Sequence, residues 1–311
     1  MASVQQVPWP TENCQSLFEH TIRNPVSTSG IGLHYGVDAS VRLMPAKAGT
    51  GLVFVRTDLD DFEIPASWRH VAKLEFATRL LYQGVFLSTT EHLLSALYAL
   101  GIDNVRIEID NLEVPIKDGS SRAFADMLSQ AGFKRQRRKR RYMRIRKRVE
   151  VADSGKCVSI EPAEGFSVQC ETFFPHPMVG DQRLAMAVTP EAYLSGVAPA
   201  RTFGFESELA AMRDAGLIRG GSLENAVCFA DSGALLNDGG LRFADEPCRH
   251  KCLDLIGDLS LVGHPLIGRV VATCGGHAMH VALVRRILQD PDNYEIVTLD
   301  QIEPSVNGLD A

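Results

Sequence analysis

Hydrophobic and polar residues alternate over several short segments in the first third of the chain. The segments VDASVRLMPA, GLVFVRTDL and FEIPASW show this alternation in part, which is typical of half-buried antiparallel strands. In NVRIEID, the apolar residues Val105, Ile107 and Ile109 share one face, and the charged residues between them share the other. This region is therefore predicted to contain a sheet with one buried face.

Two segments of the same region show helical spacing instead. Leucines recur at helical intervals in TTEHLLSALYALG, with Thr90 as a candidate N-cap and Gly101 just past the end. The segment RAFADMLSQAG has apolar residues at core spacing, with Gly132 as its stop. Both segments are predicted to be helices that pack on the sheet.

A similar order of elements returns in the second half of the chain. The segments RKRVEVAD, CVSIEPA, FSVQCETFF and LIGRVVATC predict strands, and CRHKCLDLIGDLSLVG and HAMHVALVRRILQD predict helices. We therefore predict an α+β fold of two related halves, each a sheet with helices, packed helix to helix with an active site at their interface. The predicted boundaries are a tail at 1–17, a first domain at 18–133, a basic linker at 134–141, a second domain at 142–301 and a tail at 302–311.

Composition narrows the class of protein. The chain has 311 residues, of which 45% are hydrophobic and 23% charged, so a disordered or fibrous protein is excluded. The segment MASVQQVPWPTENC has no basic n-region and no apolar h-region, and no apolar run comes near the roughly eighteen residues of a membrane helix, so we expect a soluble cytoplasmic protein. Seven cysteines lack CxxC spacing, which predicts reduced thiols rather than a disulfide framework or a thiolate zinc site.

Positive charge is concentrated in the segment KRQRRKRRYMRIRKR, residues 134–148. It holds eleven of the 32 basic residues and no acidic one. Such a cluster can bind nucleic acid or an anionic membrane surface, but no RNA-binding motif or aromatic platform accompanies it. We interpret it as a solvated linker that runs into a strand, with at most weak contact to an anionic surface, and we expect no DNA partner.

A candidate metal site lies in the segment RHKCLDLIGD. His250, Asp254 and Asp258 are spaced four residues apart, which places them on one face of a helix. That face is either a solvated stripe of charge or a metal site. The neighbouring residues are apolar nearly all round, so the helix is predicted to be buried, where a charged face must be paired or bound to metal.

The third metal ligand is predicted in the segment TTEHLLSAL. A catalytic zinc takes three protein ligands and keeps one position for water. His92 lies near the start of a helix and follows Glu91, a carboxylate that can serve as general base. We predict Zn²⁺ as the cofactor. Fe²⁺ is an alternative, because a site of two histidines and one aspartate also suits Fe(II) or Co(II).

Several long motifs lie in the order found in one known family. They are SGIGLHYG, VFVRTDL, STTEHLLSALYALGIDN, EVPIKDGS, ARTFGF, GGSLENA, LNDGGLRFADE, RHKCLDLIGDLSLVGHPLIG and GGHA. From about residue 18 to 301 the chain resembles the zinc-dependent UDP-3-O-acyl-N-acetylglucosamine deacetylases of lipid A biosynthesis. The resemblance implies hydrolysis of the N-acetyl group to a free amine and acetate. It places His92, His250 and Asp254 on the zinc ligands and Glu91 on the general base.

The resemblance also implies roles for four further residues. Thr202 of ARTFGF and Lys251 fall where the family stabilises the tetrahedral oxyanion together with zinc. His277 of GGHA falls on the general acid that protonates the departing amine, and Asp258 would hold it cationic and oriented. With these roles, a single helix face carries the metal ligand Asp254 and two residues that serve the reaction, Lys251 and Asp258.

An insert near residues 203–229 is implied to form an apolar passage for the acyl chain of the substrate. Phe205, Leu209 and Met212 recur there at helical spacing. By spacing alone such a stripe is typical of plain core, and only the resemblance favours a passage. The predicted substrate contacts are Phe174, Phe203, Phe205, Leu209, Met212, Leu217 and Ile218.

Three positions differ from the family pattern and keep an alternative open. Cys274, Phe173 and His280 stand where the family commonly has lysine, aspartate and asparagine. The leading prediction is a monomer that acts on an amphiphilic UDP-acyl-amino-sugar. An alternative keeps zinc and deacetylation but assigns another acylated acetamido sugar. A second alternative, a nucleic-acid-binding protein on an inactive scaffold, is opposed by the complete catalytic set.

Overall fold

The computed structural model describes residues 16–72 and 76–302, and the structural statements below concern these residues. Most of the two predicted tails, 1–17 and 302–311, lies outside them. Sheets with separate helices in both halves confirm the predicted α+β class. Among the described helices, none has the length and apolar character needed to span a membrane.

The first half is built on a five-stranded sheet. The strands of this half are β1 (Phe18–Ile22), β2 (Val26–Ile31), β3 (Asp38–Pro45), β4 (Leu52–Arg56), β5 (Phe62–Pro65), β6 (Leu80–Tyr82), β7 (Val85–Leu87), β8 (Val105–Ile109) and β9 (Phe133–Lys139). The order in the sheet is β2-β3-β8-β4-β5. The buried residues of β8 are Val105, Ile107 and Ile109, which confirms the face predicted from alternation.

Two helices accompany this sheet, α1 (Glu91–Ala99) and α2 (Arg122–Ala131). Gly132 ends α2 with φ 68°, a backbone angle that residues other than glycine rarely adopt. Thr90 occupies the N-cap position of α1 as predicted, but its hydroxyl caps no backbone N–H and donates instead to the carbonyl of Thr78, at 3.3 Å. This bond ties the start of α1 to the loop before β6.

The second half contains a seven-stranded sheet. The strands of this half are β10 (Tyr142–Ile145), β11 (Val149–Asp153), β12 (Lys156–Glu161), β13 (Phe166–Phe174), β14 (Gly180–Ala187), β15 (Phe203–Phe205), β16 (Val227–Phe229), β17 (Leu266–Thr273) and β18 (Tyr294–Val297). The path of the sheet runs β11-β12-β17-β10-β18, and β13 joins β17 and β14, whereas β15 and β16 form a separate parallel pair. The helices are α3 (Pro190–Gly196), α4 (Glu206–Asp214), α5 (Glu246–Leu259), α6 (His277–Gln289) and α7 (Leu299–Ile302).

Helices α1 and α5 pack against each other and join the two halves. One hydrophobic core includes buried residues of both, among them Leu93 and Leu253. The two backbones come close at Gly257, where an added Cβ would lie 2.2 Å from the carbonyl oxygen of Glu91. The absence of a side chain at Gly257 therefore lets the two helices meet at the residue that precedes His92.

The basic segment differs from its prediction as a solvated linker. Residues 133–139 form β9, which pairs antiparallel with β1. Acidic residues from other elements neutralise several of its charges: Arg138 lies 3.2 Å from Glu19, and the buried Arg140 lies 2.7 Å from Asp103. Backbone pairing and ion pairs thus hold this segment on the first half. The remaining domain boundaries stay predictions.

Candidate metal centre and active site

The start of α1 and the middle of α5 bring His92, His250 and Asp254 into one buried cluster. Their ligand atoms all lie within 4.8 Å of one another. The Oδ1 atom of Asp254 is 3.8 Å from Nε2 of His92 and 3.4 Å from Nε2 of His250. Separations of this size exceed good hydrogen bonds, so three donor atoms face one another without bonding closely. Such an arrangement fits a cation between them.

The hydrogen bonds and charges of the cluster also fit a metal. Nδ1 of His250 lies 3.1 Å from the carbonyl of Ala200, and this bond leaves Nε2 with its lone pair toward Asp254. Burial lowers the pKa of His92 to about 3 and also lowers that of His250, so both imidazoles are neutral, as metal ligands must be. Burial would raise the pKa of Asp254, but His250 and Lys251 hold it below its ordinary value.

Glu91 lies beside this cluster at the first position of α1. Its side chain is buried and accepts a hydrogen bond from the backbone N–H of Thr78 at 3.1 Å. Burial raises its pKa to about 8, His277 opposes the shift, and the nearby carboxylates of Asp254 and Asp258 add to it. A carboxylate with a pKa near neutrality suits a general base, which must gain and lose a proton at working pH.

A second cluster forms around the fully buried carboxylate of Asp258. Nδ1 of His277 lies 2.8 Å from Oδ2 of Asp258, and Nδ1 of His280 lies 2.8 Å from the same oxygen. The hydroxyl of Thr78 donates to the other oxygen, Oδ1. Burial lowers the pKa of His277, but the charge and hydrogen bond of Asp258 more than offset it and raise the pKa to about 9.

The two clusters are neighbours. Nε2 of His277 lies 3.9 Å from Oδ2 of Asp254, so the histidine that Asp258 orients faces the candidate metal ligands. Lys251 was predicted to face the reacting carbonyl, and the structure pairs its ammonium with Oδ2 of Asp254 at 3.0 Å. Thr202 lies between Ala200, whose carbonyl contacts His250, and Phe203.

An aromatic group extends from the cluster toward the insert. The ring of Phe203 lies 6.3 Å from that of His250 and 5.3 Å from that of Phe174, and Phe205 lies 5.4 Å from Phe174. On α4, Leu209 and Met212 are half-buried and no residue is fully buried, so this stripe is not plain core. Of the other two predicted contacts, Leu217 is buried and Ile218 is half-buried. The acyl passage itself stays a prediction.

Thr78 belongs to the site, although nothing in the sequence marks it. Thr78 contacts Glu91 through its backbone and Asp258 through its side chain, but it lies in an irregular segment where no periodicity marks it. In the sequence, His280 is a departure from the family pattern and also a candidate to replace the acid if His277 is removed. Its spacing of three residues from His277 on one helix predicts a shared face, and that signal could have placed both histidines on Asp258.

The site combines a buried cluster of two histidines and an aspartate with a carboxylic acid of raised pKa and a histidine held by a carboxylate. These groups together are typical of a metal-dependent hydrolase. The comparisons with known proteins identify which one. Residues 19–289 match the family model described as LpxC: UDP-3-O-acyl N-acetylglycosamine deacetylase. The chain belongs to this family of metal-dependent deacetylases, which confirms the predicted resemblance and the prediction of an enzyme.

Curated relatives support the same family over almost the full chain. A UDP-3-O-acyl-N-acetylglucosamine deacetylase of Solibacter usitatus (strain Ellin6076) is 59% identical over 289 residues, which cover 93% of this chain and 97% of the relative. Proteins with the same name from Anaeromyxobacter sp. (strain Fw109-5) and Myxococcus xanthus (strain DK1622) are 43% and 42% identical. The alignments cover 90% and 94% of this chain and 92% and 93% of those relatives.

Proposed function

We propose that this protein hydrolyses the N-acetyl group of UDP-3-O-acyl-N-acetylglucosamine, releasing acetate and the free amine, as the committed step of lipid A biosynthesis. The observation that carries the proposal is the convergence of His92, His250 and Asp254 with Glu91 and His277 at the junction of α1 and α5. The family and the names of the relatives supply the substrate.

We propose that the metal is Zn²⁺, held by His92, His250 and Asp254. Two imidazole nitrogens and one carboxylate oxygen are a donor set that zinc accepts in catalytic sites. When bound, the ion would polarise the amide carbonyl and make water a better nucleophile at neutral pH.

The residues of the chain would move the protons. Glu91 takes the proton of the attacking water, because its raised pKa makes it basic enough near neutrality. Lys251 and Thr202 donate to the oxyanion that develops on the substrate carbonyl. His277 then gives a proton from Nε2 to the amide nitrogen, so that the leaving group departs as an amine rather than as an amide anion.

The apolar part of the substrate would follow the aromatic group and α4. Phe203 and Phe205 lead from His250 toward Leu209 and Met212, and an acyl chain along this path would be shielded from water. Phe174 would contact the nucleotide end.

We also propose two structural halves, at 18–133 and 142–301.

We further propose that the protein works as a cytoplasmic monomer. The six described cysteines are free thiols, which suits a reducing compartment. Sedimentation of the purified protein tests the oligomeric state.

The function is tested by metal analysis together with an assay of acetate release. We expect about one zinc per chain, as in a site with three protein ligands, and turnover of the UDP-acyl-sugar. The matched substrate is the same acyl sugar without the UDP group, which we expect to react much more slowly. Equal turnover of the two would show that the nucleotide is not recognised, and no turnover of either by the metal-loaded protein would contradict the proposal.

A further inference from the structure

Asp258 accepts more hydrogen bonds than are needed to orient one histidine. Its carboxylate is fully buried, with His277 and His280 on Oδ2 and the Thr78 hydroxyl on Oδ1. The mechanism proposed above uses His277 and Asp258 and leaves His280 without a role. A buried, ionisable side chain that shares an oxygen with the candidate general acid calls for an explanation.

The fold makes room for His280 at this place. His277 and His280 lie one turn apart at the start of α6, and His280 is only 1% exposed. A Cβ atom at Gly275 would lie 3.0 Å from Nε2 of His280, which is closer than most side chains pack. The absence of a side chain at Gly275 thus leaves room for the imidazole, whose Nδ1 faces Asp258.

The chemistry of the shared oxygen fixes the protons on both rings. An ionised carboxylate accepts hydrogen bonds and donates none, so Nδ1 of each histidine carries a hydrogen. For His277 this leaves Nε2 as the atom that faces Asp254 and the candidate metal site. Three donors on two oxygens also oppose rotation of the Asp258 carboxylate, because any rotation breaks at least one bond to a buried group.

We propose that His280 is a positioning residue for the general acid. It holds the carboxylate of Asp258 in the orientation in which Oδ2 receives Nδ1–H of His277, and it thereby keeps Nε2 of His277 directed at the nitrogen of the scissile amide. His280 acts through Asp258 and does not touch the substrate. This inference rests on the proposed deacetylation, since it assigns a role within that reaction.

Three replacements at one position test the role of the donor. In His280→Asn, the amide nitrogen is bonded to Cγ, as Nδ1 of histidine is, so it can donate to Oδ2 from the same place. In His280→Gln the amide nitrogen lies one bond farther out. His280→Leu keeps a branched side chain of similar shape and has no donor.

We expect His280→Leu to lower kcat by about 10- to 100-fold, the usual effect of removing a group that orients a reacting or ligating side chain, with KM unchanged. His280→Asn should restore most of the loss, and His280→Gln should not. Bound metal per chain and the melting temperature are measured for each variant. Wild-type kcat in His280→Leu, or an asparagine variant as slow as the leucine variant, would overturn the inference. A loss of metal parallel to the loss of kcat would also overturn it, because it would indicate a disturbed site rather than a misdirected acid.

A measurement without substrate separates this inference from the proposed function. Imidazole ¹⁵N spectra of the resting protein should show His280 as the neutral tautomer with its hydrogen on Nδ1, and Asp258→Asn should shift that signal. A hydrogen on Nε2 instead would contradict the inference even if the enzyme is active. If the wild-type protein does not deacetylate the UDP-acyl-sugar while the tautomer is as expected, the proposed function fails and the hydrogen-bond arrangement stands.

Discussion

Asp258→Asn should move the alkaline limb of the pH–rate profile to lower pH. The substitution keeps the size of the side chain and removes its negative charge. If His277 is the general acid, it must be protonated to act, so activity falls as the pH rises through its pKa. A nearby carboxylate stabilises the cationic imidazole and raises that pKa. Removing the charge lowers the pKa, and the limb follows it downward.

The structure gives the size of the shift. Although burial alone lowers the pKa of His277, the surrounding carboxylates, with Asp258 first among them, raise it from 6.5 to about 9. The whole difference of about 2.5 units corresponds to roughly 3 kcal/mol at 1.36 kcal/mol per unit. Asp254 and Glu91 also raise this pKa and burial opposes all three carboxylates, so we expect the loss of Asp258 to move the limb by about 1 unit or more.

The assay is kcat/KM for acetate release between about pH 6 and 10, since this parameter reports groups of the free enzyme. A bound metal acts on the pKa of His277 in the wild type and in Asp258→Asn alike. The difference between their alkaline limbs therefore reports the charge of Asp258. The control is Asp126→Asn, because Asp126 is an exposed carboxylate on α2 whose pairing with Arg122 is local to that helix. An alkaline limb that is the same in wild type, Asp258→Asn and His277→Ala would refute the assignment of His277 as the acid.

Three further predictions concern the metal and the helix junction. His250→Ala should remove most of the bound zinc and nearly all activity, and full metal occupancy by elemental analysis would exclude it as a ligand. Glu91→Gln should keep about one zinc per chain and lower kcat by about 10² to 10⁴, whereas wild-type turnover would place the base elsewhere. Gly257→Ala should lower the free energy of unfolding by about 1 to 3 kcal/mol and weaken metal binding, because the new methyl group meets the Glu91 carbonyl. The control is Gly239→Ala, whose methyl group meets nothing within 4 Å. Equal stability of the two variants in denaturant titrations would refute the steric reasoning.

Periodicity predicted those elements whose burial is one-sided. The strand around Ile107 and the helix that ends at Gly132 follow their patterns closely, because one face packs on the core and the end residue needs a special backbone angle. Strand β9 escaped prediction because its charged side chains are mostly exposed and give no alternation, while its stability comes from pairing with β1. The sequence contains no local signal for pairing between segments so far apart.

The candidate site, too, was predictable from the sequence only in part. Helical spacing placed His250, Asp254 and Asp258 on one face, and the structure brings them to the junction with His92. Spacing carried no information about Thr78, whose contacts depend on how a loop crosses the end of α1. The pairing of Lys251 with Asp254, by contrast, joins residues three apart on one helix and lies within what helical spacing predicts.

The junction of α1 and α5 makes the metal a removable crosslink. One candidate ligand belongs to α1 and two belong to α5, so an ion bound to all three would join helices from different halves of the chain. A ligand that binds only the folded state stabilises it by about 1.4 kcal/mol for each tenfold rise in its free concentration above the dissociation constant. The supply of that metal would then affect how many copies of the protein stay folded as well as how many are active. A cell short of it would lose this enzyme partly to proteolysis of the opened chain.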